Sequence, residues 1–282
     1  MNQIDFLPIG RKVSQIGLGC GRLVGRSTLI QSARIVETAL DLGIRYFDVA
    51  PSYGMGTAEE VLGHVTGDLK DVFIATKVGI PRPHYSARNN LLRSACKSFL
   101  DYVPSFKIFA RRSYVNSMKK TQGRTRCRHD FSEKTINNSI GESLKRLKRD
   151  SLDVLLAHEP CNSDLTYETE LLFQNLLKNK TISAFGVGID ACEDSCYSFG
   201  SIWQAGWPGD RIVNYSGKQT NIFHGVIRYA TESNYSKTTK PANQLLLDAT
   251  MQAPNSIILV SASSPRSYPV THQTLIALVY QV

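Results

Sequence analysis

Residues 43–63 read GIRYFDVAPSYGMGTAEEVLG, and the change of character along this stretch decides the fold. The apolar run Ile44 to Asp48 predicts a strand that ends on a carboxylate. A loop carrying Tyr53 follows. The chain then enters a helix at TAEEVLGHV (57–65), where Thr57 is placed to cap and Glu59 and Glu60 put negative charge in the first turn, which the helix dipole favours. Strand, polar loop and helix form the repeating unit of a parallel β/α barrel, whose active face is made of strand C-termini and the loops after them.

The same placement recurs on both sides of this unit. Lys77 closes a strand from Val72 to Lys77, and His158 closes LDVLLAH (152–158). Upstream, Val13 to Gly21 reads as the first strand running into a glycine-rich loop, and a helix capped by Ser27 or Thr28 stops at Gly43. Downstream, Ser132 is placed to cap a helix with Ile136, Ile140, Leu144 and Leu147 on one face. Further strands are expected at SAFGVG (183–188), RIVNYS (211–216), GVIRY (225–229) and SIILVS (256–261). ELLFQNLLKN (170–179) and ANQLLLDATMQ (242–252) read as helices, whereas SCYSFGSIWQAG (195–206) is ambiguous because serine, glycine and aromatics do not favour helix. Eight strands with mostly helical crossovers predict a (β/α)8 TIM barrel.

A chain of 282 residues with 42% hydrophobic and 20% charged residues suits a single barrel domain over residues 1–282 and argues against disorder. No stretch approaches the roughly 20 apolar residues of a membrane span, and the N-terminus lacks a signal-peptide pattern, so a cytoplasmic protein with no membrane partner is expected. The six cysteines, at 20, 96, 127, 161, 192 and 196, are expected to be reduced and define no metal site.

Between Lys77 and His158 lie 80 residues, far more than one helix and one strand require. A long basic insertion after strand 3, about 82–131, is expected there. From Tyr102 to His129 it has no acidic residue and eight basic ones. With a net charge of +9 and a pI near 9.3, three readings stand beside one another: a solvated loop, a cationic lid over the active face, and, as the least expected, a nucleic-acid arm.

The four polar side chains form a plausible machine. A tyrosine hydroxyl hands a proton to a carbonyl oxygen, a lysine ammonium lowers the cost of the phenolate left behind, and an imidazole orients the carbonyl. Each has a plainer structural reading when taken alone, as turn former, loop anchor, solvated strand end or core histidine. Their common placement favours proton-coupled carbonyl reduction.

GIRYFDVAPSYGMGTAEEVLG, IATKVG (74–79), SLKRLKRDSLDVLLAHEP (143–160) and ISAFGVG (182–188) resemble the aldo-keto reductase superfamily. The resemblance implies a catalytic tetrad of Asp48, Tyr53, Lys77 and His158, hydride transfer to a carbonyl carbon, and NADPH, with NADH as alternative, bound without a Rossmann fold. It places Gly19 and Cys20 beside the cofactor, with Asp48, and puts Gln219 at the strand 6 glutamine. Ser261, Ser263, Ser264 and Arg266 fall in the segment that clamps the cofactor, where hydroxyls and a guanidinium suit a 2′-phosphate. The sequence departs from the family pattern at Gly188 and Ile189, which replace a Ser-Asn pair, and at Val270 and Thr271, which replace a Glu-Asn pair. The expected protein is therefore an NADPH-dependent oxidoreductase acting on a small-molecule aldehyde or ketone, sugar-derived carbonyls included. A nucleotide-binding pseudoenzyme or regulatory barrel is the alternative.

Overall fold

The structure is a computed structural model and describes residues 1–24, 28–83, 129–190, 198–209, 220–232 and 240–262. Eight parallel strands close into a barrel: β3 (Ile16–Gly19), β4 (Tyr46–Asp48), β5 (Phe73–Val78), β6 (Leu152–His158), β7 (Ile182–Gly188), β8 (Ile202–Gly206), β9 (Thr220–His224) and β10 (Ile257–Val260), with β10 returning to β3. Six α-helices lie among the described residues: α1 (Leu29–Asp41), α2 (Ala58–Thr66), α3 (Glu133–Leu147), α4 (Tyr167–Lys178), α5 (Val226–Glu232) and α6 (Ala242–Gln252). None is long and apolar enough to cross a membrane.

The expected first strand, Val13 to Gly21, is two elements. Its front end belongs to β2 (Arg11–Ser14), which pairs antiparallel with β1 (Gln3–Phe6). Phe6 and Val13 from this hairpin join the core that fills the barrel, with Tyr46, Phe73, Val154, Leu156, Ile202, Ile222 and Leu259. Alternate side chains of a strand share one face, so each inward column that starts apolar reaches the next inward position two residues on. From Tyr46 that position is Asp48, from Ala75 it is Lys77, and from Leu156 it is His158. A second, larger core between barrel and helices holds Val36, Phe47, Leu62, Ile74, Ile136, Leu155 and Phe173.

Two expected strands are corrected. The sixth barrel strand is β8, inside the ambiguous SCYSFGSIWQAG stretch, and the seventh is β9, just before GVIRY. GVIRY itself turns at Gly225, with φ +77°, and forms the start of α5. RIVNYS lies outside the described residues, and the barrel closes without it. The basic segment from residue 84 to 128 also lies outside them.

Helix starts follow local hydrogen bonding. Thr28 caps α1 in a reciprocal box with Gln31. Thr57 does not cap α2 through its side chain; its hydroxyl donates to the Gly54 carbonyl at 2.7 Å. Nor does the Ser132 hydroxyl cap α3, where the Asp130 carboxylate accepts from the Ser132 amide and the Thr135 hydroxyl instead.

Candidate active site

The polar strand ends meet at the C-terminal mouth of the barrel. Register sets Asp48 beside Gly19 on one flank and Ala75 on the other. His158, Gly188 and Gln204 stand in a row across β6, β7 and β8, and His224 closes β9. A cavity of about 790 Å³ opens above them, lined among others by Gly19, Asp48, Tyr53, Lys77, His158 and Ser261.

Lys77 is 1% exposed and Asp48 4%. The Lys77 Nζ donates to Asp48 Oδ1 at 2.5 Å and to the Val49 carbonyl at 3.2 Å. Burial works against the ammonium, but the Asp48 carboxylate beside it, with Tyr53, outweighs that cost and holds the Lys77 pKa above its ordinary value. Lys77 is therefore charged at neutral pH. The same Nζ lies 4.8 Å from the centroid of the Tyr53 ring. Burial raises the Tyr53 pKa, and the Lys77 charge pulls it part of the way back, so the phenol keeps its proton until a reacting group takes it.

His158 meets the Tyr53 ring edge-on, with centroids 5.8 Å apart and planes at 85°. Burial, then the positive charge of Lys77, push its pKa down to about 3. The imidazole is neutral at physiological pH, and its buried Nδ1 has no hydrogen-bond partner among the described residues. A consequence for stability follows from linkage. Between the ordinary value of 6.5 and about 3, the unfolded chain takes up a proton that the folded site refuses, so stability falls as pH drops through that window. The full difference is roughly 4 to 5 kcal/mol. Denaturant titrations from pH 7 to about 4 should show a steeper loss in the wild type than in His158→Gln. Equal slopes would place the proton uptake elsewhere.

Of the other expected site residues, Cys20 is fully buried and does not line the cavity; burial, then the Asp48 charge, raises its thiol pKa far above the ordinary value. Gln219, Ser263, Ser264, Arg266, Val270 and Thr271 lie outside the described residues. Sequence reasoning missed Gln204 and His224. Both line the cavity, and both stand two residues beyond an inward apolar residue, Ile202 and Ile222. The period-2 rule that found Lys77 would have found them had β8 and β9 been placed.

Gln204 is 3% exposed and its Oε1 accepts no hydrogen bond from the described residues. That orphaned acceptor on the cavity wall suits an amide donor such as a nicotinamide carboxamide. Gly188 next to it adds no bulk: a Cβ there would meet Lys77 Cε and Leu156 at 3.5 Å. On the outer rim His224 Nε2 contacts the Ile189 carbonyl at 3.0 Å, and Arg228 pairs with Asp190 at 2.9 Å.

A profile of the aldo/keto reductase family matches residues 15–188, a span that contains β3 to β7 and all four positions of the expected tetrad. The chain belongs to the aldo/keto reductase family. It is 32% identical to a D-threo-aldose 1-dehydrogenase of a Pseudomonas species over 55% of this chain and 42% of that one. It is 28% identical to an L-galactose dehydrogenase of Arabidopsis thaliana over 56% and 39%. The chain thus spans about two-fifths of the length of these curated relatives. Among solved structures, an aldo-keto reductase from Bacillus halodurans in its holo form superposes with a TM-score of 0.64 at 18% identity, covering 97% of this chain and 90% of that one. A glycerol dehydrogenase from Gluconobacter oxydans gives 0.66 at 17%, covering 99% and 94%. Identities this low speak for the fold, and they agree with the closed eight-stranded barrel.

Proposed function

We propose that the chain is an NADPH-dependent oxidoreductase that interconverts an aldehyde or ketone and its alcohol, with Tyr53 as the proton donor. The observation that carries this reading is the buried Asp48–Lys77 ion pair set under the Tyr53 ring at the cavity floor. The sugar dehydrogenases among the relatives support sugar-derived carbonyls, or the corresponding lactols in the oxidative direction, as the substrate class.

Bound NADPH would supply a hydride to the carbonyl carbon. Gln204 would accept from its carboxamide, with Gly19 and Ser261 along the same wall and Ser263, Ser264 and Arg266 proposed for the phosphate. The chain's own groups manage the proton. The Tyr53 hydroxyl releases its proton to the carbonyl oxygen as negative charge develops there. Lys77 stabilises the phenolate that remains, in a buried site where a nearby charge counts for more than it would in water. Asp48 holds the ammonium charged and aimed. Neutral His158 donates one N–H to the same oxygen and fixes its direction.

Gln204→Leu keeps the volume and removes the acceptor, so NADPH should bind about twofold to tenfold more weakly. Fluorescence titration of the nucleotide reads this directly, and unchanged affinity would remove Gln204 from the cofactor site. The bare Gly188 and apolar Ile189 favour a second reading, a nucleotide-binding barrel that has lost efficient catalysis. NADPH oxidation measured against a panel of aldehydes, ketones and aldoses, beside nucleotide binding, separates the two. Turnover supports the oxidoreductase; binding without turnover on any carbonyl supports the second reading.

A further inference from the structure

A second ion pair, between a fully buried carboxylate and a partly buried guanidinium, holds the turn that presents Tyr53. Glu59 in the first turn of α2 is 0% exposed. Its Oε1 accepts from the Thr76 hydroxyl at 2.6 Å, and its Oε2 pairs with Arg82. Arg82 also donates through Nη1 to the Gly56 carbonyl at 2.7 Å. Three segments are tied at one carboxylate. Thr76 precedes Lys77 on β5, Arg82 lies in the loop leaving β5, and Gly56 ends the 3-10 turn that begins at Tyr53.

That turn needs holding. Gly54, Met55 and Gly56 take φ of +57°, +59° and +87° in succession. Left-handed backbone is sterically unfavourable for a non-glycine residue such as Met55, and it persists where its surroundings over-determine it. The Thr57 hydroxyl fixes the Gly54 carbonyl and Arg82 fixes that of Gly56. Gly56 itself is approached so closely that a Cβ would lie 3.1 Å from Arg82 Cγ. Stability alone is a weak reason for such a pair, because well-packed apolar residues of similar volume commonly stabilise a core as much as a buried ion pair does. What the pair supplies here is a fixed relation between the turn carrying Tyr53 and the strand carrying Lys77.

We propose that Glu59 and Arg82 are positioning residues for the proton donor, a clasp that sets the spacing of the Tyr53 hydroxyl from the Lys77 ammonium. This rests on the reading of Tyr53 and Lys77 given above. The test uses the full chain with isotope-labelled tyrosine, followed by NMR across pH, the Tyr53 signal being the one absent from Tyr53→Phe. Arg82→Met is the main variant. Thr76→Val, nearly isosteric, is the second and decides the matter if Arg82→Met does not fold. Arg149→Met is the control, since Arg149 makes a comparable clasp at the far end of α2, donating to the Thr66 and Leu69 carbonyls at 2.8 Å each.

The Tyr53 titration balances burial against the Lys77 charge, so loosening the clasp should move its midpoint by roughly half a unit or more, about a threefold change in the phenolate equilibrium. Arg82→Lys should recover part of the shift. In turnover, kcat should fall about tenfold while KM and NADPH affinity stay near wild type, the pattern expected when a group's placement in the transition state is lost. Arg149→Met should lower the unfolding temperature alone. If Arg82→Met and Thr76→Val lose only thermal stability, as the control does, with Tyr53 titrating as before, the clasp is structural and the proposal fails. A wild type with no turnover on any carbonyl would count against the oxidoreductase reading, and the Tyr53 titration would still decide the clasp.

Discussion

Replacing Lys77 by Met should abolish carbonyl reduction and also cost the fold about 3 to 5 kcal/mol, because the Asp48 carboxylate is left buried without its partner. Two effects of one substitution can be separated. Lys77→Met combined with Asp48→Asn removes both charges from a site where the two residues are 1% and 4% exposed, so most of the stability should return. Activity should not, since the phenolate still lacks a cation beside it. Unfolding midpoints and steady-state rates for the two single variants and the double variant form a cycle that isolates the pair. A Lys77→Met protein that reduces carbonyls at the wild-type rate would remove the ion pair from the chemistry.

Tyr53→Phe keeps the ring and its edge contact with His158 while removing the hydroxyl proposed to release the proton. The expected loss in kcat is roughly 10² to 10⁴-fold, the range for a positioned general acid. NADPH affinity should change little, because the cavity wall proposed to hold the nucleotide is formed by Gly19 on β3, Gln204 on β8 and Ser261 just after β10. The fold should hold as well, since the ring still covers the Lys77 ammonium at the cavity floor. Rates and nucleotide titration on the same preparation check both halves. Turnover retained in the pure variant would assign the proton to another group.

The sequence was most legible where a buried strand ends on a polar residue. Asp48, Lys77 and His158 each follow an apolar run long enough to be read as a strand, and all three stand at the mouth of the barrel. Tyr53 was readable because a helix start fixes the end of its loop. The second half of the barrel was harder for a physical reason. IWQAG and TNIFH are strands of five residues, too short to establish a period, and they mix small, aromatic and polar residues. GVIRY has the β-branched look of a strand, yet Gly225 turns the chain and the remainder starts α5. An apolar run of this length cannot be told from a buried helix by periodicity alone. Reading the sixth strand at RIVNYS is what put its glutamine at Gln219, which lies outside the described residues; the sixth strand, β8, carries Gln204. The clasp of Glu59 and Arg82 was invisible for another reason. Glu59 reads as an ordinary first-turn carboxylate, and only the tertiary fold brings Arg82 to it.

The reaction itself is tested most directly by following the label from NADPH deuterated at the transferring nicotinamide position, with an aldehyde or ketone from the responsive members of the panel. Deuterium is expected at the former carbonyl carbon of the alcohol with the wild type, and no labelled alcohol above background with Tyr53→Phe although the nucleotide still binds. Alcohol formed without the label, or equal labelled product from both proteins, would contradict direct hydride transfer with Tyr53 as the acid.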